Sequence, residues 1–237
     1  MEDTKLKLFS RPKFIPRIMS LKGLSLVIFS LFFFQQTFAQ RNYDGYNFLV
    51  VQGGITFFDI QTDDLVTQQQ EGFVAGFTSR GAFRNNFDLI YGISFQSASV
   101  GVQGMDPLGT DTQNINYTIQ GAQINFLGSY NIVKKHLSIE FGPVFDINGK
   151  MKLDQDEYED YILTGYNTLT AKNIQEISRL NVRLAGGITA GLEHFRISAQ
   201  YQYGITNMLG KLNDENLEND DFKGNSSTII LMGVIYF

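Results

Sequence analysis

Residues 195–206 alternate without a break. Phe195, Ile197, Ala199, Tyr201, Tyr203 and Ile205 hold one parity, and Arg196, Ser198, Gln200, Gln202, Gly204 and Thr206 the other. Successive side chains of a strand point to opposite faces, so this segment makes a β-strand with one apolar and one polar surface; a helix would scatter both sets around its circumference. The preceding segment behaves in the same way: Leu180, Val182, Leu184, Ile188 and Leu192 oppose Arg179, Asn181, Arg183, Thr189 and Glu193. Only Glu193-His194 is left to turn the chain between the two.

Two more strands follow from the same pattern. Leu137, Ile139, Phe141, Pro143, Phe145 and Ile147 face away from Ser138, Glu140, Asp146 and Asn148, and Phe87, Leu89, Tyr91, Ile93 and Phe95 face away from Asp88, Ser94 and Gln96. Segments 47–58, 72–83, 122–132 and 228–237 bring the expected total to eight, the first and last being apolar on both faces. Ahead of Ala122 the parity slips, since Ile115, Tyr117 and Ile119 are odd whereas Ile124, Phe126, Tyr130 and Ile132 are even; this predicts a bulge near Gly121. Short turns at 84–86, 133–135 and 193–194 alternate with long polar links at 60–71, 101–114, 149–177 and 207–227. Alternating short and long connections predict an all-β, eight-stranded, antiparallel up-and-down transmembrane β-barrel with both termini on the periplasmic side, where the short turns lie.

Alternation alone does not say whether the apolar face meets lipid or the inside of a soluble ligand-binding barrel. Length favours lipid, because a strand crosses the hydrocarbon layer in about 9–11 residues, whereas globular strands average about 5–6. The apolar faces are nearly free of charge, and the opposite faces carry Arg80, Asp88, Glu140, Asp146, Arg179, Arg183, Glu193 and Arg196. An eight-stranded barrel has an interior just wide enough for side chains, so these charges are expected to pair in a plugged lumen rather than line a pore. Composition agrees: 23 Gly, 4 Pro and 32 aromatic residues (21 Phe, 11 Tyr) suit aromatic-bearing strands. With no cysteine, there is neither a disulfide nor a thiolate site.

The run LSLVIFSLFFF at 24–34 is long enough for a signal-peptide core and too short for a membrane-spanning helix. Arg17 and Lys22 precede it, and Thr37 and Ala39 suit a cleavage site before Gln40. Residues 1–39 therefore read as a signal peptide, with Met19 an alternative translation start, and 40–237 as the barrel domain. Six of the 19 basic and two of the 24 acidic residues fall in the leader, which leaves 13 against 22 in the mature chain. That surplus of negative charge argues against nucleic acid as a partner. The chain closes with ILMGVIYF, whose terminal aromatic Phe237 resembles the C-terminal signature of bacterial outer-membrane barrels that the insertion machinery reads.

The TFAQ ending of the leader, the strand FLVVQGGITFF, the central AQINFLGSYNI and the closing strand together resemble the outer-membrane β-barrel families common in Bacteroidota, including the PorT-like barrels. AQINFLGSYNI has no proline where that family often carries one. The resemblance implies a place in the Gram-negative outer membrane, contact with its lipids, and an accessory role in secretion alongside secretion-system proteins. It supplies no catalytic residues.

No catalytic, cofactor-binding or metal-binding residue, and no cofactor, is assigned from the residues. His136 and His194 both fall at short turns, away from the rim where a surface hydrolase would work. GxSxG, HExxH and P-loop patterns are absent from the sequence. The acidic groups at 154–160 and 214–221 lie in the longest links without a calcium-loop spacing, and read as solvated charge. Tyr158, Tyr161, Ile162, Leu163 and Tyr166 are expected either to fold over the barrel mouth or to meet a partner, with self-packing favoured. The expected protein is non-enzymatic and works through its extracellular loops; a narrow channel or small-ligand barrel is the alternative.

Overall fold

The computed structural model describes residues 45–237; the expected leader, its cleavage point before Gln40 and the alternative start at Met19 lie outside the described residues. Among the described residues the strands are β1 (Asn47–Gln61), β2 (Thr67–Arg84), β3 (Phe87–Met105), β4 (Thr112–Val133), β5 (Leu137–Leu153), β6 (Ile162–Leu163), β7 (Leu180–Gly191), β8 (Phe195–Gly204) and β9 (Asn225–Tyr236). The eight long strands pair antiparallel in chain order, and β9 returns to β1 with Gly53 opposite Gly233, so the sheet closes on itself. The two-residue β6 lies beside the far end of β3, Gly104 opposite Leu163. Closure leaves no free sheet edge around the ring. The short turns are tight: Asn85 and Lys135 take positive φ values of 55° and 63°, and asparagine tolerates that region better than most residues.

The outward face carries an apolar belt. On β3 it runs from Phe87 through Leu89, Tyr91 and Ile93 to Phe95, all exposed; on β5 it runs through Ile139, Phe141, Phe145 and Ile147. Ile197, Tyr201 and Tyr203 on β8 and Ile229, Leu231 and Ile235 on β9 continue it. A side chain as large as these exposed in such numbers destabilises a protein in water, whereas a continuous band about 9–11 residues tall fits a hydrocarbon layer. The chain is therefore built as a transmembrane β-barrel, polar inside and apolar outside.

Above the belt the polarity reverses. Val100 and Val102 on β3, Ile115, Tyr117 and Ile119 on β4 and Met151 on β5 turn inward and are buried, while Ser99, Asn114, Asn116, Thr118 and Lys152 face out. The strands simply continue out of the lipid, and water now lies where lipid was. This accounts for the links expected at 60–71 and 101–114, much of which is strand: β1 runs on to Gln61, β2 begins at Thr67, β3 reaches Met105 and β4 begins at Thr112.

An irregularity does fall beside Gly121, in the β4–β5 pairing, but the extra residue belongs to β5 and β4 itself has no bulge. β4 stays in unbroken register with β3 from Thr112 to Tyr130, and its odd residues point inward throughout. The parity changed because the apolar residues moved from the outer to the inner face, as the surrounding medium requires. The irregularity lies across the way in β5, where Gly149 and Lys150 together oppose Gln120. That extra residue turns Met151 inward and places Lys150 and Lys152 on the outer surface.

Candidate functional site

Two layers fill the space inside the ring. In the lipid-embedded layer the buried charged residues, among the described residues, are Arg80, Asp88, Glu140, Asp146, Arg183 and Arg196, three of each sign. Arg80 uses every N–H it has. Nε donates to Asp88 Oδ2 (2.8 Å), Nη1 to Glu140 Oε1 (3.2 Å) and Tyr236 Oη (3.2 Å), and Nη2 to Ser129 Oγ (2.8 Å) and Asn131 Oδ1 (3.0 Å). A guanidinium has five donors, and five acceptors from four other strands meet them, which pins β2, β3, β4, β5 and β9 together across the lumen. Arg183 pairs with Asp146 and donates to Thr228 Oγ1 (3.1 Å), with its guanidinium carbon 5.7 Å from the Phe58 ring centroid. Among the described residues Arg196 has no carboxylate within ion-pair distance; it rests on the ring of Tyr236 and donates from Nε to the Leu192 carbonyl (3.2 Å).

Two residues expected in this network lie elsewhere. Arg179 precedes β7 and is exposed at the upper rim, and Glu193 sits in the β7–β8 turn paired with Lys135 from the neighbouring turn. Both share the inward parity, but parity loses its meaning beyond the ends of a strand. The inner faces of β1 and β9 include an apolar stripe, with Val50, Ile230, Met232 and Val234 buried side by side; this is why both strands carry apolar residues on both faces. Between this stripe and the charged network remains a cavity of about 30 Å³, room for a few water molecules and no larger ligand.

The second layer is a hydrophobic core above the belt. Phe58, Ile60, Val100, Val102, Ile115, Tyr117 and Ile119 supply it from the strands. Leu163, Leu169 and Ile174 from the β5–β7 connection and Met208, Leu209, Leu212 and Phe222 from the β8–β9 connection cover it. Tyr158, Tyr161 and Tyr166 pack on its outside, so the aromatic cluster of the third long link folds over the mouth. Polar pins hold the β5–β7 connection to β4 and to the β1–β2 link, and brace the β8–β9 connection internally. Tyr117 Oη donates to the Ala171 carbonyl (2.9 Å), and Tyr166 Oη to the Asp64 carbonyl (2.9 Å). Asn207 Oδ1 accepts from the backbone N–H of Leu209 (3.1 Å) and Gly224 (2.9 Å).

Glu218 completes the closure. Its carboxylate accepts from the Thr168 backbone N–H (2.7 Å), the Asn167 backbone N–H (2.9 Å) and the Thr168 hydroxyl (3.0 Å). The Thr168 backbone N–H foremost, with that of Asn167, holds its pKa down at about 2. Asp106 staples the β3–β4 tip in the same manner: the N–H of Asp111 (3.0 Å), together with the N–H and hydroxyl of Thr110, keeps its carboxyl below the ordinary range. These are acidic residues from the expected solvated clusters and links that turn out to be structural clamps. A sequence offers little to find them by, because an acceptor for backbone N–H groups 50 residues away leaves no local pattern.

His136 and His194 occupy the β4–β5 and β7–β8 turns, where His136 Nδ1 lies 2.9 Å from the Gly191 carbonyl. Among the described residues no group of three His, Asp or Glu side chains is disposed to hold a metal ion.

No family model matches the sequence, and no curated protein matches it. Solved structures are similar in fold. Neisserial surface protein A aligns over 80% of this chain and 97% of its own, with TM-score 0.46 and 8% identity. Ail, the attachment invasion locus protein of Yersinia pestis, aligns over 81% of this chain and 99% of its own, with TM-score 0.42 and 12% identity. The outer membrane protein OprG of Pseudomonas aeruginosa aligns over 81% and 95%, with TM-score 0.43 and 14% identity. The assignment as a barrel rests on this chain's own closed strand pairing.

Proposed function

We propose that this is an outer-membrane protein whose barrel is a closed anchor for an extracellular head, working as a structural or interaction protein through that head. The observation that carries the reading is the double seal: an ion-paired lumen beneath an apolar core of 19 buried residues. A conducting pore needs a continuous wet path, and the lumen leaves about 30 Å³. The short turns and both strand ends, Asn47 and Tyr236, lie at the end of the barrel away from the head, which supports periplasmic termini. In this reading β9 is the strand that the insertion machinery engages. A secretion accessory of the PorT-like kind would meet secretion-system proteins through the head, since the lumen has no passage to offer.

Two measurements test the proposal. Fractionation followed by electrophoresis of unheated and boiled samples should give an outer-membrane protein with heat-dependent mobility. Planar-bilayer recording of the purified barrel should then give no steady current. A soluble periplasmic protein, or a reproducible single-channel conductance, would overturn it.

A further inference from the structure

The extracellular half is acidic, and its cations are mostly neutralised where they stand: Lys172 pairs with Glu159, Lys211 with Asp214 and Lys223 with Asp221. One stretch of the upper rim differs. Lys152 and Arg179 are exposed and form no ion pair among the described residues, and Lys150 between them shares Glu176. The three line the β5–β7 seam in the order Arg179, Lys150, Lys152. The Asn148 N–H donates to the Arg179 carbonyl (2.7 Å) and the Met151 N–H to the Gln175 carbonyl (2.9 Å), which lays 175–179 alongside 148–151. The bulge at Gly149 and Lys150 puts both lysines on the outer face.

Their height is fixed by the belt. Ile147 and Leu180 are paired across the same seam, are 51% and 73% exposed, and are its last lipid-facing side chains there. Arg179 directly precedes Leu180, and Lys150 and Lys152 lie three and five residues beyond Ile147, about 10–17 Å along the strand at most. That is the level of lipid headgroups. Elsewhere on the rim the residues at this level are Asp59 on β1, Glu71 on β2 and Ser97 on β3, none of them cationic. Of the acids near the cluster, Glu176 is paired with Lys150, and Asp154 accepts from the Thr118 hydroxyl (2.7 Å) and keeps its charge. Beside the lysines the outer face of β4 offers Asn116 and Gln120, amide groups suited to sugar hydroxyls.

We infer that the β5–β7 rim binds the phosphate of a phosphorylated glycolipid in the outer leaflet, with Lys150, Lys152 and Arg179 meeting the phosphate and the outer face of β4 meeting the sugar. The inference rests on the outer-membrane reading above, and deepens it by naming a lipid class and a place. Cations at the lipid–water boundary are attracted to anionic headgroups; the arginine fork grips two phosphate oxygens at once, and each lysine adds a mobile point charge.

The test compares the wild-type chain, a Lys152→Gln/Arg179→Gln variant and a Lys172→Gln/Lys223→Gln variant of equal charge change. Each is reconstituted in phosphatidylcholine vesicles containing lipid A, floated, extracted in mild detergent and assayed for bound lipid A by mass spectrometry. The rim variant should retain on the order of thirtyfold less lipid A than wild type, and the second variant as much as wild type. Equal retention by the rim variant, equal loss in both variants, or displacement of the lipid by millimolar inorganic phosphate would overturn the site. A wild-type chain that fails to float would overturn the membrane reading itself, and the site with it.

Discussion

The guanidinium carbon of Arg196 lies 4.2 Å from the ring centroid of Tyr236, and the hydroxyl of the same tyrosine accepts a hydrogen bond from Arg80. One side chain of β9 thus serves two buried arginines, by its face and by its edge. Arg196 Nη1 has no hydrogen-bond acceptor among the described residues, so the ring is its main compensation. Tyr236→Phe keeps the face and removes the acceptor, at a cost of about 1–3 kcal/mol. Tyr236→Leu removes both and should cost about 2 kcal/mol more. The temperature at which the heat-dependent gel shift disappears should fall in that order; identical values for the two variants would mean that the ring contact contributes nothing.

Arg80 is the strongest single link in the lumen, because its removal orphans Asp88 and Glu140 together. Arg80→Met should destabilise the barrel by about 3–5 kcal/mol. Arg183→Met, which strands the single carboxylate of Asp146, should also lower the melting temperature, and by less. Conductance should remain nil in both, since the apolar core still closes the mouth. Unfolding in urea with phospholipid vesicles measures the first effect; an Arg80→Met barrel as stable as wild type would show that the network is not tightly coupled.

Most of the barrel could be read from alternation, and the reason it stopped short is instructive at Gly121. Alternation says which residues share a face. It does not say what lies on either side, and on β4 the medium changes from lipid to water between Phe126 and Tyr117 while the backbone runs straight on. Ile119 and Ile124 therefore point opposite ways for one and the same physical reason, the avoidance of water. The lumen charges at strand centres, such as Arg80 and Asp146, were placed correctly by parity, whereas Arg179 and Glu193 at strand ends were not. The clamps of the head were invisible because Glu218 and Asp106 act on backbone groups, which every sequence possesses.

The head should loosen without the barrel. Phe222 is fully buried between Tyr166 and the strands, and its backbone is held by Asn213 and Asn207. Phe222→Ala should cost about 3–5 kcal/mol, confined to the cap. Limited proteolysis should then cut within 154–179 and 205–224, while the heat-dependent mobility of the barrel stays within a few degrees of wild type. Loss of the mobility shift would show instead that cap and barrel form one cooperative unit.

The Glu218 clamp gives the head a defined acid limit. Its carboxyl is held at about 2, below the ordinary 4.5, so the folded state favours the charged form. The clamp is fully present above the ordinary value and fades as the pH drops from there through about 2. Hydrogen exchange at Asn167 and Thr168, corrected for the intrinsic pH dependence, should show constant protection at neutral pH and progressive loss across that interval. Glu218→Ala should abolish the protection at every pH, and with it the acid transition, while amides in the lipid-embedded strands remain unaffected. Protection that stays flat down to pH 2 in the wild type would mean that the fold of 166–169, rather than the carboxylate, shields those amides.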